Sequence, residues 1–145
     1  MTSPRPTPAR DLDTAPWWAG TDSGELLVQK CARCARLRWP PRPICNECHD
    51  SAHEWVAATG RGTVESWTAT YHSFGPAIDV PFLVVLVRLE DQPDIYMPGY
   101  FDGPPDGRGT HIGQRVSVGF VDVDTSDGTT LRVLQWVPDA ESADQ

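Results

Sequence analysis

"KCARCARLRWPPRPICNECH", residues 30–49, holds every cysteine of the chain as two C-x-x-C pairs, Cys31/Cys34 and Cys45/Cys48, ten residues apart. Each pair can fold into a tight knuckle that aims two thiolates at one point, and two knuckles complete a tetrahedron. In a reducing cytosol such pairs read as metal ligands rather than disulfides. Zinc is the expected metal for four thiolates, and a site closed by four protein ligands is structural. Rubredoxin-type iron and a redox dithiol are the alternatives. Pro40, Pro41 and Pro43 stiffen the path between the knuckles. Ala35 and His49 stand just after the second cysteine of each pair, where glycine is common. His49 is an alternative ligand, which four available cysteines make unnecessary.

Charge is arranged unevenly around this stretch. The chain carries 12 basic and 20 acidic residues, a net −8. Zinc held by four thiolates takes this to about −10. Five of the basic residues, Lys30, Arg33, Arg36, Arg38 and Arg42, fall between positions 30 and 42 with no acid among them. One reading is that they neutralise the thiolate cluster. The other is an anion site, because the guanidinium fork of Arg33, Arg36, Arg38 and Arg42 suits phosphate oxygens. Elsewhere seven basic residues face all 20 acids, an unpromising surface for nucleic acid.

Outward from the cysteines, residues 1–12 and 138–145 read as flexible polar tails. "DTAPWWAG" reads as a short helix capped by Asp13 or Thr14 and stopped at Gly20, and "ELLVQKC" as an extended lead into the first knuckle. Residues 13–58 therefore form a helix-plus-ribbon unit. From 59 to 137 the chain becomes strand-like, with five segments at 63–72, 82–89, 95–101, 115–123 and 130–137 bounded by turn residues. "DTSDGTT" predicts a hairpin with Asp127-Gly128 at its tip. Five short strands in so few residues predict a small closed barrel of OB type. The fold class is mainly β: a short helix, a four-cysteine zinc ribbon and a five-stranded OB barrel. Where many such barrels carry a helix, between the third and fourth strands, this chain has "DGPPDGRGT" at 102–110.

No segment suggests export, and "FLVVLV" at 82–87 is too short to span a bilayer, so the expected setting is cytoplasmic. Catalytic signatures are missing too. There is no G-x-S-x-G, no H-E-x-x-H and no glycine-rich phosphate loop with a lysine, and His49, His53, His72 and His111 form no recognisable triad. With four cysteines committed to metal, no thiol remains as a nucleophile.

The order "PWWAG…KCARCARLRWPPRPICNEC…GRGTVESWTATYH…VPFLVVLVRLED…IGQRVSVGF", over roughly residues 13–137, resembles a known family. Its members are the bacterial and archaeal acyl-CoA-associated zinc-ribbon/OB-fold proteins, long grouped as a domain of unknown function. The resemblance implies an N-terminal helical segment, a rubredoxin-like zinc ribbon and a C-terminal OB-fold. It also implies a partner: a thiolase-like subunit such as a sterol-carrier-type thiolase, a steroid side-chain aldolase or an acyl-transferring synthase, with related domains paired to MaoC-like hydratases. In such complexes the OB-fold chain helps to hold the acyl-CoA and stabilises the assembly, while the partner does the chemistry.

Candidate contacts follow. Trp39, Trp67 and Trp136 read as core residues. Trp17 and Trp18, neighbours on a helix, point about 100° apart, which places one toward an outer face; packing on the protein's own ribbon and docking on a partner are equal readings for the pair. The loop "SFGPAIDVP" at 73–81 displays Phe74, Ile78 and Val80, and in OB-folds this loop contributes to the ligand face. With Tyr71 and Tyr100 it forms the expected acyl or partner contact. A nucleic-acid-binding ribbon/OB module and a rubredoxin-like electron carrier are the competing classes.

Overall fold

The computed structural model describes residues 5–75 and 78–140. Among the described residues one helix, α1 (Ala15–Asp22), precedes eight strands: β1 (Leu27–Cys31), β2 (Leu37–Arg38), β3 (His53–Ala57), β4 (Arg61–Thr70), β5 (Phe82–Leu89), β6 (Tyr96–Phe101), β7 (Arg115–Asp124) and β8 (Thr130–Pro138). The first three make an antiparallel ribbon sheet in the order β2-β1-β3; the last five close into a barrel in the order β4-β5-β6-β8-β7. Among the described residues no helix is long and apolar enough to cross a membrane.

The five barrel strands lie within two residues of the segments expected from their β-branched and aromatic runs. Along β5, Leu83, Val85, Val87 and Leu89 are buried, while Phe82, Val84 and Leu86 are partly covered and Arg88 faces water. This is the period of two that a half-buried strand requires. Strand β4 carries one extra residue, Glu65, between the pairs Val64↔Val87 and Ser66↔Leu86. Such a bulge bends a strand, and here β4 pairs with β7 through Arg61–Thr63 on one edge and with β5 on the other, closing the barrel. The remaining seam, β6 with β8, is parallel and only two residue pairs long, Tyr100↔Gln135 and Phe101↔Trp136.

Ribbon and barrel share one core. Leu26 and Val28, from the ribbon side, are buried in the same cluster as Val64, Val85, Met97, Val116 and Trp136 of the barrel. Trp136 is completely enclosed, as expected, and Trp39 packs partly buried against the cluster. Trp67 departs from expectation. It pairs with buried Val85, yet 38% of its surface is exposed. The segment over it is the 102–110 loop, not a helix, and only Gly107 (φ +80°) fits there: a Cβ would lie 2.5 Å from the ring. A glycine loop covers an aromatic edge less completely than helix side chains do.

Helix α1 starts after Thr14 but runs past Gly20 to Asp22, ending at Ser23 before Gly24 (φ +75°). Gly20 is thus not the stop. It is buried where a Cβ would stand 2.9 Å from the Leu27 side chain, so the helix rests on β1. Thr14 does not cap the helix with its hydroxyl, which donates to Asp11 Oδ1 (2.8 Å). The first tail also differs from a free segment. Arg5 N donates to Asp124 O (2.7 Å), Ser126 N donates to Arg5 O (2.8 Å), and the Thr7 and Ser126 hydroxyls meet at 3.3 Å. Residues 5–8 lie along the β7–β8 hairpin. At the other end Pro138 completes β8 and Asp139 N donates to Arg115 O (3.0 Å). Residues 1–4, 141–145 and the loop positions Pro76 and Ala77 lie outside the described residues.

Candidate metal centre and ligand surface

Two matching turns build the cysteine site. In the first, Ala35 N donates to Cys31 O (3.0 Å) and Cys31 N to Arg36 O (3.0 Å). In the second, His49 N donates to Cys45 O (2.9 Å) and Cys45 N to Asp50 O (2.9 Å). Ala35 and His49, the two positions where glycine was expected, both adopt the left-handed conformation at φ 62°. The β1–β3 pairing sets Cys31 opposite His53 and brings the second turn back beside the first. All four Sγ atoms lie within 4.8 Å of one another, with Cys31–Cys48 at 3.5 Å and Cys34–Cys45 at 3.7 Å.

A tetrahedron with zinc–sulfur bonds of about 2.3 Å has sulfurs about 3.8 Å apart, so the donor set fits one zinc ion. Cys31 and Cys45 are buried, Cys48 is half-buried and Cys34 reaches the surface. The Cys34 amide holds Cys31 below the usual thiol range, and the Cys48 and Glu47 amides lower Cys45 to about 6. Cys48 also accepts from the Asp50 amide, which lowers it, but burial and the three neighbouring thiols push it up to about 11. A bound Zn²⁺ would offset that repulsion with its own charge and hold all four as thiolates. His49 is not among the gathered donors.

The arginines divide. Arg36 is exposed and meets Asp94 at 2.9 Å and Glu47 at 3.8 Å. Arg38, read as a possible surface anion ligand, is instead buried: Nε donates to Gln29 Oε1 (2.8 Å) and Nη2 to Arg42 O (3.0 Å). Gln29 Oε1 also accepts from Arg42 N (2.8 Å), so the Arg42 peptide is gripped on both sides. Arg38 is therefore turned inward to fasten the inter-knuckle loop. Arg33 and the Arg42 residue remain exposed. Gln29 was missed from sequence; its signal was a polar residue inside the apolar run "LLVQ".

Among the aromatics, Trp17 packs on Trp39 of the ribbon with ring centroids 5.6 Å apart. Trp18 is half-buried beneath Arg10, whose guanidinium stands 5.8 Å from its ring centre. Tyr71 and Phe74 are 66% and 81% exposed, and Ile78 is half-buried. Tyr100 is half-buried, 6.2 Å from Phe82 and beneath the Arg5 guanidinium, which also donates to its hydroxyl. A half-open cavity of about 400 Å³ adjoins Tyr100; Asp79 and Pro81 of the 73–81 loop line it, whereas Tyr71, Phe74 and Ile78 do not. Arg5 was not singled out in the sequence, where it reads as tail.

Comparison with known proteins agrees with this geometry. Residues 18–54 match the model described as ChsH2, rubredoxin-like zinc ribbon domain, and residues 55–121 that of ChsH2, C-terminal OB-fold domain. The chain belongs to the ChsH2-type zinc-ribbon/OB-fold family. Among its relatives, a probable enoyl-CoA hydratase alpha subunit of Thermomonospora curvata is 38% identical over 87 residues, 60% of this chain and 27% of the relative. The 3-oxo-4,17-pregnadiene-20-carboxyl-CoA hydratase alpha subunit of Mycobacterium tuberculosis is 34% identical over 132 residues, 91% of this chain and 40% of the relative. The chain thus spans less than half the length of either. The solved structure described as Ltp2-ChsH2(DUF35) aldolase contains a chain that superposes with a TM-score of 0.79 at 29% identity, covering 91% of this chain and 98% of that one. A DUF35 protein of Sulfolobus solfataricus shares the fold, with a TM-score of 0.60 at 18% identity. The ChsH2-type match also names the metal of the ribbon, and a structural zinc is what the four sulfurs suit.

Proposed function

We propose that this chain is a non-catalytic accessory subunit, working in the cytoplasm, that binds and stabilises a thiolase-like partner and helps to hold an acyl-CoA thioester, in steroid side-chain or related acyl-CoA catabolism. The observation that carries this reading is the likeness, along 98% of that chain's length, to a chain of the structure described as Ltp2-ChsH2(DUF35) aldolase. The chemistry of the chain supports it. All four cysteines converge on one metal site, which leaves no thiol for acyl transfer. Two strongly exposed aromatic side chains, Tyr71 and Phe74, suit a protein interface better than a solvated surface. The acyl-CoA setting is supported by the names of both hydratase alpha subunits, which are longer proteins.

Nucleic-acid binding is the weaker reading. Of the basic run, Arg38 is buried, Arg36 is paired with Asp94 and Lys30 lies 3.8 Å from Glu54. The test is co-elution of the purified chain with its co-encoded thiolase-like protein. A stable complex is expected. If Phe74 or Trp18 anchors it, Phe74→Ala or Trp18→Ala weakens it by about 2 kcal/mol, roughly thirtyfold, with zinc content unchanged. Two proteins that elute separately at micromolar concentration would overturn the reading.

A further inference from the structure

We infer that the outer face of the β7–β8 hairpin is a docking groove for an extended, proline-containing segment of a partner protein, and that residues 5–8 are its displaceable cover. This goes beyond the accessory-subunit reading and stands without it. The pairs Val121↔Val133 and Val123↔Leu131 are directly opposite, so four apolar side chains share one face of the hairpin. Leu134 and Trp136, in the alternate register, point into the barrel core, so this face is the outer one. Tyr100 extends it through its pairing with Gln135, and Trp18 of α1 borders it. The outer face of a barrel strand is ordinarily polar where water reaches it, and one this apolar calls for a cover.

The cover in place shows what chemistry the face accepts. Residues 5–8, Arg-Pro-Thr-Pro, form a strap across it. Arg5 makes a parallel bridge with Thr125: its N donates to Asp124 O (2.7 Å), and its O accepts from Ser126 N (2.8 Å). The Arg5 guanidinium lies 4.3 Å from the centre of the Tyr100 ring and donates to its hydroxyl. Pro6 and Pro8 then pass beside Trp18 and Leu131, the aromatic-lined setting that proline-rich segments favour. The strap is lightly held. Pro6 and Thr7 are exposed, Arg5 and Pro8 only half-buried, and the prolines bring no N–H to the sheet. A space of about 180 Å³ stays open between the strap, Trp18 and Val133, so the fit is incomplete. Nearby, β7 pairs with β4 only through Arg115–Ser117, and from 119 to 123 its edge has no ladder partner on that side among the described residues. A longer extended segment gains main-chain bonds along that edge in addition to the contacts of the strap.

The test uses the full, zinc-loaded chain and a variant with a weakened cover, Arg5→Ala with Pro6→Gly and Pro8→Gly, which leaves the hairpin and α1 untouched. The probe is the peptide acetyl-TVTVRPTPAR-amide, which joins the sequence of residues 5–10 to a short stretch suited to an edge strand. The control is acetyl-TVTVAATAAR-amide. Saturable shifts of the Trp18 indole N–H and of the Val121, Thr125 and Ser126 amides are expected when the probe meets the variant. The wild type is expected to bind the probe at least about tenfold more weakly, because its tethered strap competes at an effective concentration of about millimolar. The control is expected to bind neither protein. A variant that keeps its zinc and melting temperature yet does not bind the probe overturns the inference. So does equal binding of probe and control, or a wild type that binds as tightly as the variant. Concentration-dependent dimers of the wild type that the variant does not form would make a second copy the occupant and overturn the assignment to a partner protein. Should the triple variant fail to fold, Arg5→Ala alone, which removes the contact with Tyr100, is judged by the same outcomes.

Discussion

Ala35 and His49 show how much of the metal site rests on two backbone angles. Each holds the left-handed conformation that closes its knuckle, at φ 62°, without being glycine. That conformation costs an L-residue about 1–2 kcal/mol, against about 0.4–1 kcal/mol of extra unfolded-state entropy that glycine brings. Ala35→Gly and His49→Gly are therefore expected to stabilise the zinc-saturated chain by about 0.5–1 kcal/mol each in denaturant unfolding. Ala35→Val, β-branched at the same angle, is expected to lower the midpoint. The ligands were legible in the sequence because C-x-x-C spacing is itself the geometry of the knuckle. The Arg38 side chain was not. Its charge pointed to the surface, and only the pairing of Gln29 with Arg38 across β1 and β2 shows that it turns inward to hold the Arg42 peptide.

Among the elements, the β7–β8 hairpin has a turn built around a carboxylate, Asp127. Asp127 Oδ1 accepts from Thr125 Oγ1 (2.5 Å), Thr129 Oγ1 (2.6 Å) and Thr129 N (3.0 Å). The Thr125 hydroxyl, followed by those from Thr129, holds this carboxyl at about 2, below the usual 3.8. A depressed carboxylate stabilises the fold above its unfolded value and loses that contribution as pH falls toward the folded one. The stability difference between the wild type and Asp127→Asn should be full above about pH 4 and fade toward pH 2. Zinc release at acid pH affects both proteins, so the difference isolates the turn. A difference that does not change across this window counts against the assignment. The strands themselves were legible because runs of β-branched and aromatic residues are bounded by turn residues. The helix end was not, since Gly20 reads as a stop whereas its missing Cβ serves contact with Leu27. Nor was the exposure of Trp67, which depends on a distant loop taking the place of a helix.

For the whole molecule, the ribbon is joined to the barrel by apolar contact at one end and held by metal at the other. Leu26 and Val28 sit in the common core, whereas the knuckles bury little beyond Cys31 and Cys45, and Ile44 is 53% exposed. Zinc removal by a chelator should therefore abolish amide protection across residues 32–50 while the barrel strands from 61 to 138 stay protected, read by hydrogen exchange. Simultaneous loss in both regions would show that the metal holds the entire fold. The architecture of the whole was legible from cysteine spacing and strand count. The strap of residues 5–8 was not, because a Pro/Thr/Arg segment carries no periodic signal and its docking depends on Tyr100 and the hairpin, some 95 and 120 positions away. The central claim, that the chemistry belongs to a partner which needs this chain, meets its most direct test in the rate of product release from an acyl-CoA thioester by the co-encoded thiolase-like protein. The account predicts little release by either protein alone and a rise that saturates at stoichiometric addition of the zinc-loaded chain. A partner that runs at its full rate without the chain, or release by the chain alone, would contradict it.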